Sequence, residues 1–352
     1  MLRDLSIPKK INQIALLATT NMTQRSFMKF AVLSYQTPNI GDDIQSLASR
    51  QHLPRVDTLV ERDEISNFKP EENGQYAMLL NGWFMQQPQN WPPSDRISPL
   101  FISFHIDKYS KKQMLAPASL EYFRKHEPIG CRDHATAALL ESNGVKSYYS
   151  GCLTLTLEKP DVPAERNGFV VCDPFGHDDK YKFFLRGHPQ HQKLLKVLDP
   201  KNQLESAEHV THEIAPDIPQ EERLTLAQDL LKKYASASLV ITSRIHCALP
   251  CLAFGTPVLF IEPRKASDYF YGGLVGKVRD FMQRIRFRDP RYSGIVNHMH
   301  SIKVLSLEKG ISPEYDFLNP LSNPDKIEDL KERLRTNCRE FLSTSPDRQK
   351  TE

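Results

Sequence analysis

The stretch that most constrains this chain is residues 238–261, where three short segments follow one another almost without connectors. Residues 238–242 (SLVIT) read as a buried strand, residues 245–254 as a helix, and residues 256–261 (TPVLFI) as a second apolar strand. Two apolar runs of strand length joined through a helix are a parallel pair with a crossover, not a hairpin. Gly255 is the expected helix stop. Pro250 lies inside the helical segment and predicts a kink or a late start.

The same alternation recurs along the chain. Further strands are expected at 30–35, 76–80, 100–104, 128–131, 146–149, 168–173 and, less regularly, 208–213. Helices are expected at 42–50, 134–142, 219–235 and 324–341. Strands alternating with helices give an α/β fold with parallel sheets. The Pro- and charge-rich stretch 158–167 reads as a linker. The expected organisation is therefore a poorly structured extension (1–27), an N-terminal Rossmann-like domain (28–157), a C-terminal Rossmann-like domain (168–320), a terminal helix packing back across the domains (321–343) and a disordered tail (344–352). Two such domains facing across a cleft make a GT-B-like architecture.

Charge and cysteine usage narrow the function. Lys and Arg number 46 against 43 Asp and Glu, a net +3, which gives no electrostatic case for nucleic acid. No apolar run approaches a membrane-spanning length, so no membrane insertion is expected. The six cysteines form no CxxC pair and read as small buried hydrophobes of a reducing, cytoplasmic compartment. Cys247 and Cys251 with His246 lack a fourth ligand at a suitable spacing for zinc. Gly176 to Asp179 and the pair His298 and His300 are weak metal-ligand patterns, and no metal or cofactor is expected.

Ligands of open α/β sheets bind beyond the carboxyl ends of the strands. That rule selects Gly41 and Asp42, Asn81 to Trp83, His105, Arg132 and Asp133, Asp173, and Ser243 to His246. The last turn is the sharpest. A helix N-terminus offers unsatisfied N–H groups, Arg244 a planar cationic fork, and His246 a proton donor or acceptor near neutrality. Together they suit a small anion. Asp42 and Asp133 each read equally as helix N-caps. Trp83 and Trp91 lie in a Gln- and Pro-rich loop; they suit a sugar platform or ordinary packing. His105 reads as a proton-transfer group or a satisfied core histidine.

Residues 242–261 (TSRIHCALPCLAFGTPVLFI) resemble the signature of the polysaccharide pyruvyltransferase family, with Ile245 where the family has Leu. Residues 39–42 (NIGD) resemble its opening motif, and residues 129–133 (IGCRD) with the following helix resemble its mid-chain segment. The resemblance spans about residues 29–265 in the right order. It implies a transferase that uses phosphoenolpyruvate as donor and a sugar diol as acceptor, forming a cyclic pyruvate ketal and releasing phosphate. It further implies donor binding by Ser243, Arg244, Ile245, Arg132 and Lys265. His246 is then the expected acid, for the methylene carbon or the leaving phosphate, and Asp42 or His105 the acceptor base. Asn81, Trp83 and Trp91 are the expected acceptor contacts.

Two departures stand out. Residues 81–91 replace a Gly-rich loop of the family, and Gly151 and Cys152 stand where it tends to carry Asp. Both bear on the acceptor. The competing readings are a nucleotide-sugar glycosyltransferase of the same layout, with Glu262 as a ribose contact, and a non-catalytic glycan- or partner-binding protein with a degenerate site.

Overall fold

The computed structural model describes residues 28–70, 74–107, 109–174, 199, 201–260, 300–301, 316–323 and 327–344. They form two parallel sheets. The first holds β1 (Lys29–Ser34), β2 (Thr58–Glu61), β3 (Tyr76–Phe84), β4 (Ile97–Ile106), β5 (Ile129–Cys131) and β6 (Ser147–Tyr149) in the order β2-β1-β3-β4-β5-β6. The second holds β7 (Phe169–Cys172), β8 (Glu208–Val210), β9 (Leu239–Thr242), β10 (Val258–Phe260) and β11 (His300–Ser301) in the order β11-β10-β9-β7-β8. The helices are α1 (Ile40–Arg50), α2 (Lys111–Met114), α3 (Pro117–Lys125), α4 (His134–Glu141), α5 (Gln220–Ser236), α6 (Ile245–Phe254) and α7 (Glu328–Thr344).

Side-chain alternation along the strands of the first sheet builds two cores. Ala31, Leu33, Met78 and Leu80 face one, where Phe101, Phe104 and Phe123 also pack. Phe30, Val32, Ala77 and Leu79 face the other, which continues without a break into Val170, Val240 and Phe260 of the second sheet and Cys247 of α6. The two sheets thus share one apolar interior, with α1, α5 and α6 between them. Leu330, Leu334 and Cys338 of α7 close the same core. Just before α7, the Asn323 amide group donates to the Thr256 carbonyl and its oxygen accepts from the Val258 amide, so this segment runs from the second sheet to the first.

Two further ties cross between the sheets. Asn39 and Glu213 form an isolated antiparallel bridge, flanked by Ile40 N–H to His212 O and Ile214 N–H to Pro38 O, both 2.9 Å. One turn along α1, the carboxylate of Asp43 is gripped by Arg223 of α5 through Nε and Nη2 at 2.7–3.2 Å, with Gln220 Nε2 at 2.8 Å.

Several expectations need adjusting. Asn39, not Asp42, caps α1, accepting from Gly41 N–H, and the helix starts at Ile40. Asn81 to Trp83 lie within β3, which runs on to Phe84 past an irregularity between Leu80 and Gly82. Pro250 neither delays nor breaks α6, which ends at Gly255 in the left-handed conformation. Thr344 belongs to α7 rather than to the tail. β2, α2 and α3 were not anticipated. The expected extension 1–27, residues 345–352, Gly176 to Asp179, Glu262, Lys265 and His298 lie outside the described residues. Among those described, no helix is long and apolar enough to cross a membrane.

Candidate functional site

The turn after β9 is held rigid by the end of β7. Asp173, at a left-handed φ of 39°, accepts at its carbonyl from Ser243 Oγ (2.6 Å) and at its carboxylate from Arg244 Nε (2.7 Å) and the His212 amide (2.9 Å). Thr242 Oγ1 accepts from the Arg244 amide at 2.9 Å. Burial works against the charge on Asp173, but Arg244 and His212 hold its carboxyl below the usual range. One edge of the guanidinium is therefore committed. Nη2 is buried and makes no hydrogen bond among the described residues, with Glu213 Oε1 4.0 Å away.

His246 sits in the first turn of α6, and its Nε2 is buried without a hydrogen-bond partner among the described residues. Its near neighbour is Gly41 of α1: a Cβ there would lie 3.3 Å from His246 Cβ and 3.1 Å from His212 Nδ1. A side chain there would be tighter than ordinary contact, so glycine eases the close approach of the two halves. Burial lowers the pKa of His246 well below the ordinary value, reinforced by Arg132, His212, His105 and Arg244. The imidazole is neutral and faces positive charge from both sheets.

Arg132 follows β5, its amide donating to Phe104 O at 2.8 Å. The side chain is 3% exposed, its Nε has no partner, and no carboxylate pairs with it among the described residues. A guanidinium removed from water without a counter-ion is costly, so such a group marks a place for an anion. Asp133 caps α4 through Thr136 N–H at 2.8 Å and meets His105 Nδ1 at 2.6 Å. His105 Nε2 is buried and unpartnered. Burial lowers the His105 pKa despite Asp133, so the pair is a neutral imidazole against a carboxylate. Four buried nitrogens are thus without a hydrogen-bond partner among the described residues, Arg132 Nε, Arg244 Nη2, His105 Nε2 and His246 Nε2, and His246 feels the charge of the other three side chains.

The remaining expected residues have contacts of their own. Ile245 packs against the shared core. Asn81 is buried, bonded to Ser49 and to the Gln45 carbonyl of α1. Trp83 is half-buried with the Arg62 guanidinium 4.6 Å from its ring. Trp91 is 3% exposed among Phe84, Phe101, Phe104, Tyr122 and Phe123, which leaves no free ring face for a sugar. Asp42 accepts from Thr37 and Gln45 and faces Arg62 Nη1 at 3.6 Å. Sequence reasoning did not single out Asp173 and Asp133 as partners of Arg244 and His105, nor His212 at all. Each pairing joins positions far apart in the chain and leaves no local signal.

A second cluster lies behind the turn. Cys172, His212 and Cys247 bring their donor atoms within 4.8 Å of one another. The Tyr234 hydroxyl bridges His212 Nε2 (2.9 Å) and Cys172 Sγ (3.5 Å), and burial keeps both thiols protonated. These groups satisfy one another, as buried polar groups should.

Compared with known proteins, the chain matches no curated protein. Among solved structures it is similar to a functionally uncharacterised protein of Klebsiella pneumoniae, at 11% identity over 80% of this chain and 97% of the other. The TM-score is 0.39. The family model for polysaccharide pyruvyl transferase matches residues 39–264, from the cap of α1 to just beyond β10. With well over half its length matched, and with that match enclosing every nitrogen of the site, the chain belongs to the polysaccharide pyruvyl transferase family.

Proposed function

We propose that the protein transfers pyruvate from phosphoenolpyruvate to a sugar diol as a cyclic ketal, releasing phosphate. The carrying observation is the set of four buried, unpartnered nitrogens at the carboxyl ends of both sheets. Phosphoenolpyruvate has a carboxylate and a phosphate, and two guanidinium groups with free edges suit the two anions. In this reading the halves are GT-B-like, residues 28–157 serving the acceptor and residues 168–320 the donor. Ser243 and Ile245 shape the donor turn, and Lys265 is assigned to it by family resemblance. The setting is the cytoplasm.

His246 is the acid. Without donor it is neutral, since burial and its cationic neighbours repel a proton. A polyanionic donor between Arg132 and Arg244 reverses that field, so the proton is held when it is needed. Fixed donors around developing charge then provide most of the rate enhancement.

The test is a thermal-shift comparison of phosphoenolpyruvate with nucleotide sugars, followed by phosphate release in the presence of a glycan panel. A ligand that binds only the folded state raises the Tm. Stabilisation by a nucleotide sugar and not by phosphoenolpyruvate would transfer the assignment to a glycosyltransferase.

A further inference from the structure

The reaction needs a group to take the proton of the attacking hydroxyl. Asp42 and His105 are the two residues in question, and their surroundings separate them. Both Asp42 oxygens are engaged, Oδ1 by Gln45 Nε2 (3.1 Å) and Oδ2 by Thr37 Oγ1 (3.0 Å), with Arg62 Nη1 at 3.6 Å. Arg62 is fully buried between the rings of Tyr35 and Trp83 and is also paired with Asp63. To accept a proton, Asp42 would have to surrender its share of a buried cation.

His105 is arranged in the opposite way. Its Nδ1 lies 2.6 Å from Asp133 Oδ2, and Thr136 Oγ1 donates to that same oxygen at 3.0 Å. Burial opposes the charge on Asp133, but His105, Arg132 and the Thr136 amide keep it ionised. A carboxylate only accepts hydrogen bonds, so the ring proton sits on Nδ1 and the lone pair on Nε2. That Nε2 is fully buried, meets no partner among the described residues, and belongs to the same group of nitrogens as Arg132 and His246.

We infer that His105, held in this tautomer by Asp133, is the base that deprotonates the acceptor hydroxyl, with Asp133 as its positioning residue. The inference rests on the pyruvyl-transfer reading. As the O–H bond breaks, its proton passes to Nε2 and the oxygen bonds to the central carbon of phosphoenolpyruvate. The double-bond electron pair moves to the methylene carbon, which takes a proton from His246. When the second hydroxyl closes the ring, the C–O bond to phosphate breaks and the pair leaves with phosphate. The two hydroxyl protons equal the one gained by the methyl group and the one that leaves on phosphate. No further reactant is needed.

The experiment uses the full chain with His105→Gln and Asp133→Asn. Three quantities are measured: the ring tautomer by 15N-histidine NMR, phosphoenolpyruvate affinity by calorimetry, and turnover across pH with a panel of methyl hexopyranosides offering diols. Asn caps a helix as well as Asp does, so α4 survives in Asp133→Asn, while the Asn amide can donate to Nδ1 and move the ring proton to Nε2. The expected result is an Nδ1–H tautomer in the unmodified protein and an Nε2–H tautomer in Asp133→Asn. Both variants should lose about 100-fold or more in turnover with donor affinity changed less than about twofold. The acidic limb of the pH profile should vanish in His105→Gln. Near-normal turnover of His105→Gln overturns the assignment and leaves pyruvyl transfer standing. Absence of phosphoenolpyruvate binding to the unmodified protein overturns both. If no glycoside is turned over, the tautomer decides: a proton on Nε2 in the unmodified protein rejects the base.

Discussion

Replacing Asp43 by alanine removes the carboxylate that faces Arg223 across the two halves. Asp43 is 0% and Arg223 1% exposed at the side chain, so water does not screen the pair or replace the lost partner. An Arg guanidinium cannot shed its charge, and stranding a buried charge in this way costs about 3–5 kcal/mol. That is a large part of the roughly 5–15 kcal/mol that stabilises a typical domain. The reverse change should be milder. Burial already pushes the Asp43 carboxyl up, so in Arg223→Met it can take a proton and become neutral. The assay is urea denaturation followed by tryptophan fluorescence and by far-UV circular dichroism. Both tryptophans, Trp83 and Trp91, lie in the first half, so fluorescence follows that half while dichroism follows both. Asp43→Ala should lower stability more than Arg223→Met and separate the two transitions. Asp43→Leu with Arg223→Met should recover most of the loss, because apolar replacements of similar volume remove the desolvation problem. A loss below about 1 kcal/mol in Asp43→Ala, the range of a surface pair, would refute the reasoning.

Other outcomes follow from the site. Arg244→Ala should abolish phosphate release while circular dichroism stays unchanged; an unaltered rate rejects Arg244 as a donor contact. His246→Ala should lower turnover by about 100-fold or more, and an effect confined to donor affinity makes it a binding group. Gly41→Ala forces a methyl group to within 3.1 Å of His212 and 3.3 Å of His246, and should cost about 1–3 kcal/mol together with donor affinity. Stability should fall as the solution is acidified. His105 and His246 are pushed down by burial, and His52 is pushed down to about 4 by burial with Arg335 and Arg339. Depressed folded values mean that the unfolded chain binds more protons below its histidine value near 6.5, so these contributions are present above about pH 6.5 and lost below it. Denaturation midpoints that do not change between pH 7.5 and pH 5 contradict this.

What the sequence shows of this molecule depends on how local the cause is. The strand, helix and strand at 238–261 are legible because apolar runs, a helix stop and tight joints all lie within one window. β2 escapes notice because Thr58–Glu61 is a four-residue edge strand with only Val60 buried. α2 is a single turn of four residues, and α3 is a nine-residue helix that starts at Pro117 with no side-chain cap. Trp91 reads as a loop residue from its Gln and Pro neighbours, yet aromatic rings from β3, β4 and α3 enclose it. At the site, the residue types and strand ends were readable, including Arg244, His246, Arg132 and His105. What each one grips was not: Asp133 is 28 positions from His105, Asp173 is 71 from Arg244, and Asp43 is 180 from Arg223.

The paired main-chain hydrogen bonds between residues 38–40 and 212–214 end beside Gly41, which packs against His212 and the Cβ of His246. A seam of backbone at that spot acts as the spine of a book. With the Asp43–Arg223 pair one turn along α1, it fixes how closely the two halves approach each other beside His246.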